Sequence, residues 1–344
     1  MRSIAASPSS EKPRTIPLPR LLLILLLLSS NAGYLHATDG AATDRTTDRN
    51  VAERSLLQGR IDEAVATLQR ILLENPKDAQ SYLLLCRSFY AEEHHDEAIA
   101  ACENAVRLIP GSSEAADWMG RAYGRKAQQA GRIAEFNLAR KVKVAFETAV
   151  QLNPKNGAAV NDLGEFYVDA PSFIGGGQEK AVALAFRVAA QLPQESHRVQ
   201  ALAAEKREDY GTAEREYKAA IEVANHPGAW TDLAAFYIQR QQPDRAVNAL
   251  KQCLSIDQAK DANIIDAASL LDSIHREPLL QEQALQQYLQ SDAKSDAAPA
   301  IKVHVMLGKL LAGTGDKAGA KIEFGMALQL ASHYAPARQA LQER

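Results

Sequence analysis

Pro76 and Pro110 lie 34 residues apart, each closing an amphipathic stretch, and a period of that length constrains the fold more tightly than any bulk property. Between them run Tyr82-x2-Leu85-Cys86-x2-Phe89, then Ala98-x3-Cys102, then Ala105. Apolar residues three and four apart share one helical face, so the segment predicts two helices separated by the acidic turn Glu92-Glu93-His94-His95-Asp96. Trp230-x2-Leu233-Ala234-x2-Tyr237 with Ala246-x3-Leu250 and Cys253 repeats the set, as does His304-x2-Leu307-Gly308-x2-Leu311 with Ala320-x3-Phe324 and Ala327. Two copies carry insertions. Val160-x2-Leu163-Gly164-x2-Tyr167, leading to Ala181-x3-Ala185 and Pro193, has about five extra residues between its halves, and Ala116-x2-Met119-Gly120-x2-Tyr123, leading to Phe146, Ala149 and Pro154, has about ten.

Three copies are weaker. Val51-Ala52 with Ala64-x3-Leu68 and Pro76 has Asp48 in place of the large aromatic, which predicts a frayed first helix. Leu202-Ala203 with Ala213-x3-Tyr217 lacks a closing proline, and Ile264-x2-Ala267-Ala268-x2-Leu271 with Ala284-x3-Tyr288 has Pro278 at its turn. Together the copies resemble the tetratricopeptide-repeat family, whose pattern is Trp-x2-Leu-Gly-x2-Tyr, Ala-x3-Phe and Pro. The resemblance covers residues 45–334. It implies an all-α, right-handed solenoid of antiparallel helix pairs, about seven or eight units long, in which each hairpin buries its apolar face against its neighbours. Residues 335–344 read as a C-terminal capping helix and 33–44 as a flexible linker.

Composition agrees with helix, since aromatics are only 6% and β-branched runs are rare. Mixed charges with a formal net of -3 offer no basic stripe for nucleic acid. At the N-terminus Arg2, Lys12, Arg14 and Arg20 precede the apolar run Leu21 to Leu28, and small residues follow at Ser30, Ala32 and Ala37. That order reads as a secretory signal peptide over residues 1–32, with cleavage as late as 37. The run is well short of the roughly 20 apolar residues a spanning helix needs. Cleavage at 32 leaves 35 basic against 41 acidic residues. The chain is thus expected in the periplasm or cell envelope.

No chemistry stands out. Cys86, Cys102 and Cys253 are too few and too far apart for a zinc motif. A Cys86–Cys102 bond is open to an exported chain, and buried unbridged thiols used for packing are the other reading. His94 and His95 sit among Glu92, Glu93, Asp96 and Glu97, but adjacent histidines point apart, so the cluster reads as a solvated turn and no metal is expected. The run from Ala170 through Pro171, Ser172, Phe173, Ile174, Gly175, Gly176 and Gly177 to Gln178 follows a helix and lacks the Gly-Lys-Ser/Thr ending of a phosphate loop. It reads as a flexible, lengthened turn, with Phe173 and Ile174 either packed on the edge or offered to a partner. No Gly-x-Ser-x-Gly occurs, and neither a catalytic residue nor a cofactor is expected.

The resemblance further implies a concave groove lined by the first helix of each unit. The register places Gln80, Leu83, Arg87 and Tyr90 on it, then Asp117, Arg121 and Arg125, then Asn161, Glu165 and Asp169, then Thr231 and Gln239, and last Lys302, Val305 and Lys309. The alternative is that these are only solvated helix faces. Leu83 and Arg87 stand where a carboxylate-gripping co-chaperone would need lysine and asparagine, so that subclass is not expected. The function expected is a non-catalytic protein–protein interaction scaffold of the envelope that binds a partner protein or extended peptide. Alternatives are a glycan- or peptidoglycan-binding accessory factor and a membrane-tethered assembly factor whose N-terminal segment is retained.

Overall fold

The computed structural model describes residues 37–257, 263–291, 294–295 and 298–343. The chain divides into two units, 1–42 and 43–344; of the first only residues 37–42 are described, as helix, and the architecture below belongs to the second. The signal segment expected over residues 1–32 lies outside the described residues.

Among the described residues there are seventeen α-helices and no strand, an all-α repeat solenoid. Successive hairpins are α1 (Ala37–Leu57) with α2 (Ile61–Glu74), α3 (Ala79–Ala91) with α4 (His95–Leu108), α5 (Ser113–Gln128) with α6 (Arg132–Leu152), and α7 (Gly157–Asp169) with α8 (Gln178–Val188). They continue as α9 (Pro193–Lys206) with α10 (Tyr210–Val223), α11 (Pro227–Gln239) with α12 (Pro243–Asp257), α13 (Asn263–Ser273) with α14 (Pro278–Gln290), and α15 (Ala300–Thr314) with α16 (Lys317–Leu330). A last helix, α17 (Ala335–Gln342), packs against α15 and α16.

The periodic prolines punctuate the chain physically. A residue before proline is driven out of the α region, and α2, α4 and α6 end two residues short of Pro76, Pro110 and Pro154. Two residues beyond each proline, the side chains of Asp78, Ser112 and Asn156 accept hydrogen bonds from the backbone N–H of Ser81, Ala115 and Ala159, capping the next first helix. At the other end of several first helices one residue turns left-handed: Gly59, Glu93, Glu208, Gln241 and Gly315 all have positive φ. The following N–H then returns to a carbonyl five residues back, as from His94 to Phe89 at 2.9 Å and Gln242 to Tyr237 at 2.8 Å. Within a pair, Gly120 lets the Phe146 ring lie against the α5 backbone, and Gly308 does the same for Phe324; a Cβ at either position would overlap the ring.

The last units also pack on the first. One apolar cluster joins Leu56, Ile61 and Leu83 to Ile301, Val305, Phe324 and Tyr334. Asp62 accepts the Ser332 backbone N–H at 2.9 Å, and a Cβ at Gly59 would lie 2.8 Å from that of Ala300.

Several expectations are corrected. The stretch read as a linker is helical from Ala37, because the alanine-containing segment Ala37–Asp44 holds no proline and runs into α1 without a break. The first helix is continuous through Asp48, which pairs with Arg70 of α2 at 2.7 Å in place of the missing aromatic contact. The insertion of about ten residues between the halves of one copy is taken up in the longer helices α5 and α6. Cys86 and Cys102, which face each other across the α3/α4 hairpin with Cα atoms 5.1 Å apart, form a disulfide, while Cys253 is buried and takes no part in it.

Reducing the Cys86–Cys102 bond is expected to lower stability by about 3 kcal/mol, the value for freeing a loop of this length, in urea titrations with and without reductant. Thiol counting in denaturant should find only Cys253 before reduction. Three reactive thiols in the unreduced chain would refute the bond.

Candidate partner-binding groove

First helices stack side by side, so their outward polar residues form a continuous inner face. Along it arginines tie each unit to the next. Arg87 of α3 lies 3.7 Å from Glu53 of α1 and 3.5 Å from Glu114 of α5. Arg121 of α5 reaches Asp162 of α7 at 2.6 Å and its own helix's Asp117 at 3.2 Å. Arg198 of α9 spans both neighbours, pairing with Glu165 of α7 and, at 2.8 Å, with Asp232 of α11. Burial would weaken the Arg198 charge, but the carboxylates of Asp232 and Glu165 more than offset it and hold the guanidinium pKa above its usual value. Trp118, Asp162 and Asp232 stand two residues before Gly120, Gly164 and Ala234, and each receives an arginine from the unit before it.

Asp117 is buried, and its Oδ1 has no hydrogen-bond partner among the described residues. Its carboxyl is pushed up from 3.8 to about 7, chiefly by burial, with Arg121 opposing and the nearby Asp162 carboxylate adding to the rise. Two acids share one guanidinium, and one of them keeps its proton near neutrality.

Between α5, α7, α9, α11 and α13 this face opens into a cavity of about 550 Å³ lined by Arg121, Asn161, Asp162, Glu165, Arg198, Thr231, Asp232, Asn263 and Asp266, among others. Two polar atoms of its lining residues, Asn161 Oδ1 and Arg198 Nη1, are buried with no partner among the described residues. Its lining is polar and holds no tyrosine, tryptophan or phenylalanine.

Of the register-derived residues, Arg121, Asn161, Glu165 and Thr231 meet here. Tyr90, Arg125 and Lys302 line a second, smaller cavity where α15 crosses α3 and α5. Gln80 is half-buried on α3, Arg87 lies over the Trp118 ring, Asp169 is exposed and paired with Lys206 at 3.3 Å, and Gln239 is exposed at the end of α11. Three placements are corrected. Leu83 and Val305 are buried in the apolar cluster, because the packing of the last hairpin on the first converts outward positions into core. Lys309 points away from the groove into the cleft between α15, α16 and α17. Asp162, Arg198 and Asp232 were missed; the recurrence of Asp two residues before the small residue of the helix was the available signal.

The acidic turn is only partly solvated: Glu93, Asp96 and Glu97 are exposed, whereas Glu92 and His95 are 4% and 8% exposed, with His333 of the α16–α17 loop beside Glu92. Among the described residues no three His, Cys, Asp or Glu converge as a metal site. The glycine run is pinned rather than flexible. Gly177 N–H donates to Tyr167 O at 2.7 Å, Gly175 adopts φ 108°, and any Cβ on Gly176 would overlap the Ala170 carbonyl. Phe173 is exposed there and stacks on Phe136 with centroids 6.2 Å apart.

Residues 56–113 and 227–260 match family descriptions that both read tetratricopeptide repeat. Among solved structures, the fold is similar to yeast Tom70 at a TM-score of 0.50 and 14% identity, over 82% of this chain and 58% of that one. A tetratricopeptide-repeat protein of Parabacteroides merdae aligns over 87% of this chain and 98% of its own, with 13% identity and a TM-score of 0.44. A thermophilic one of Thermus thermophilus covers 66% and 98%, with 18% identity and a TM-score of 0.46. No curated protein matches the sequence at a significant level.

Asp117 gives the groove a pH signature. Unfolded, its carboxyl ionises near 3.8; folded, it holds the proton to about 7. Between these values the unfolded chain binds fewer protons, so this group's contribution to stability falls as pH rises and is flat outside the window. Asp117→Asn should remove that slope, gaining on the parent chain by roughly a few kcal/mol at most between pH 4 and pH 7.5. Denaturant titrations at the two pH values check it, and an unchanged slope would exclude the shared proton.

Proposed function

Since the chain is a tetratricopeptide-repeat protein, we propose that it is a non-catalytic scaffold that holds an extended peptide segment of a partner protein in the cavity between α5 and α13. The orphaned pair in that cavity carries the reading. Asn161 Oδ1 is an acceptor and Arg198 Nη1 a donor, both buried and both without a partner among the described residues. A peptide group offers one N–H and one C=O, which is what such a pair lacks. The arginine and carboxylate ladder fixes the positions of these groups before any partner arrives, so little ordering is left to offset on binding. A glycan is favoured less, because the lining has no tyrosine, tryptophan or phenylalanine ring on which a sugar face could stack.

Export to the periplasm or cell envelope is part of the same proposal. It is supported by the basic residues preceding the Leu21 to Leu28 run and by the Cys86–Cys102 bond, which persists in oxidising compartments. Among the described residues no helix is long and apolar enough to cross a membrane. Mass analysis of the mature N-terminus distinguishes a cleaved chain from a tethered one.

Photo-crosslinking residues placed singly at Asn161, Gln194 and Asn263 should capture the same protein species in cells, while one at the exposed Glu179 of α8 should not. With the captured segment as a peptide, Asn161→Ala should weaken binding by about 1–3 kcal/mol, read by calorimetry. Equal capture from groove and control positions would sink the reading.

A further inference from the structure

The smaller cavity lies at the joint between the ends of the array and has a volume of about 260 Å³. Tyr90 and Glu93 of the α3 end, His95 of α4, Arg125 and Gln128 of α5, and Pro299 and Lys302 of the α15 start line it. Its charges do not balance internally. Arg121 is already held by Asp117 and Asp162. Arg125 has no carboxylate partner; its Nε donates to Tyr90 Oη at 3.2 Å and its Nη1 to Gln128 Oε1 at 3.4 Å. The Lys302 ammonium has no hydrogen bond or ion pair to any described residue, although it is largely removed from water and lies within the repulsive field of Arg125. Glu93 is the one carboxylate in the lining, and it sits exposed at the rim. His95 is buried, with Nδ1 unpartnered among the described residues.

Two cations from units far apart in sequence, the exposed Arg125 and the half-buried Lys302, thus line one small space in which Glu93 is the single lining carboxylate and Asp266 acts on Lys302 from outside the lining, beside a buried polar atom that lacks a partner among the described residues. Like charges that share a cavity repel, the more so as one of them leaves water, and an anion between them relieves the repulsion. We propose that this cavity binds a small oxyanion, held by Arg125 and Lys302, and that the bound anion fastens the last hairpin to the second and third. A dissolved phosphate or the carboxylate of a partner side chain supplies the same chemistry. The site does not depend on what the groove between α5 and α13 holds. It differs from any site within neighbouring repeats because α15 meets α3 and α5 only where the array packs on its own start.

The test uses the purified full chain. Thermal unfolding and calorimetry are run with inorganic phosphate and, separately, with N-acetylglutamate amide, each against chloride at equal ionic strength. Saturable binding of phosphate supports a dissolved anion as the source, and saturable binding of the glutamate amide alone supports a partner's carboxylate. Lys302→Met and Arg125→Gln should each weaken whichever ligand binds at least tenfold. Lys309→Met, on the same helix but facing the α17 cleft, should leave binding unchanged. Lys302→Met should also unfold at a higher temperature than the parent chain in chloride, because it removes the repulsion, so loss of binding cannot be mistaken for misfolding. No saturable binding of either probe, or equal binding by Lys302→Met and the parent chain, would overturn the site.

Discussion

Everything in this molecule depends on how closely two helices of one hairpin can approach. Gly120 and Gly308 have no Cβ, so the Phe146 and Phe324 rings reach the facing backbone and fill what would otherwise be a gap between helices. Gly164 works between units, where Val199 of α9 takes the space. A single hairpin closed this way still leaves one apolar face open, and only a neighbour of the same construction covers it. Repetition is therefore a requirement of the packing, and the small residue, not the aromatic, is its condition.

A second layer of contacts sets the position of one unit on the next, and it is polar. Tyrosines of first helices keep their hydroxyls satisfied by glutamates of the preceding unit's second helix: Tyr123 donates to Glu103 at 2.6 Å, Tyr167 to Glu147 at 2.9 Å, and Tyr237 to Glu214 at 3.2 Å. The arginine contacts on the inner face do the same from the opposite side. Each bond contributes on the order of 1 kcal/mol, far less than apolar burial. What they add is direction, because a hydrogen bond is satisfied over a narrow range of angles where an apolar face tolerates sliding. The inner groove thus inherits a fixed geometry from contacts made mostly outside it.

The hairpins, their boundaries and their order were legible from spacing, since prolines, caps and small residues act locally within a few residues of where they stand. The groove was legible only in part. The register put Arg121, Asn161, Glu165 and Thr231 on the inner face, but not Arg198, which reaches two units at once. The joint was not legible at all. Asp62 and Ser332 meet across nearly the full described chain, and no periodic signal encodes such a contact. Leu83 and Val305 look outward in the repeat register and become core only because of it, and the same contact brings His333 beside the buried Glu92.

That joint also bears on how the groove can work. Tyr90 and Arg125, which the register places on the same inner face as Asn161, are taken up by α15, so the first units offer their inner surface to the chain's own last hairpin. The surface left open to another molecule is the stretch from α5 to α13, where Arg121 and Asp266 stand near the two limits of the cavity. Asp266 also acts electrostatically on Lys302, so the far end of the open groove and the joint share a field. A change in charge at the joint is therefore felt at one end of the groove without any helix having to move. Coupling of that kind follows from the array packing on its own start, and an open array of the same repeats would lack it.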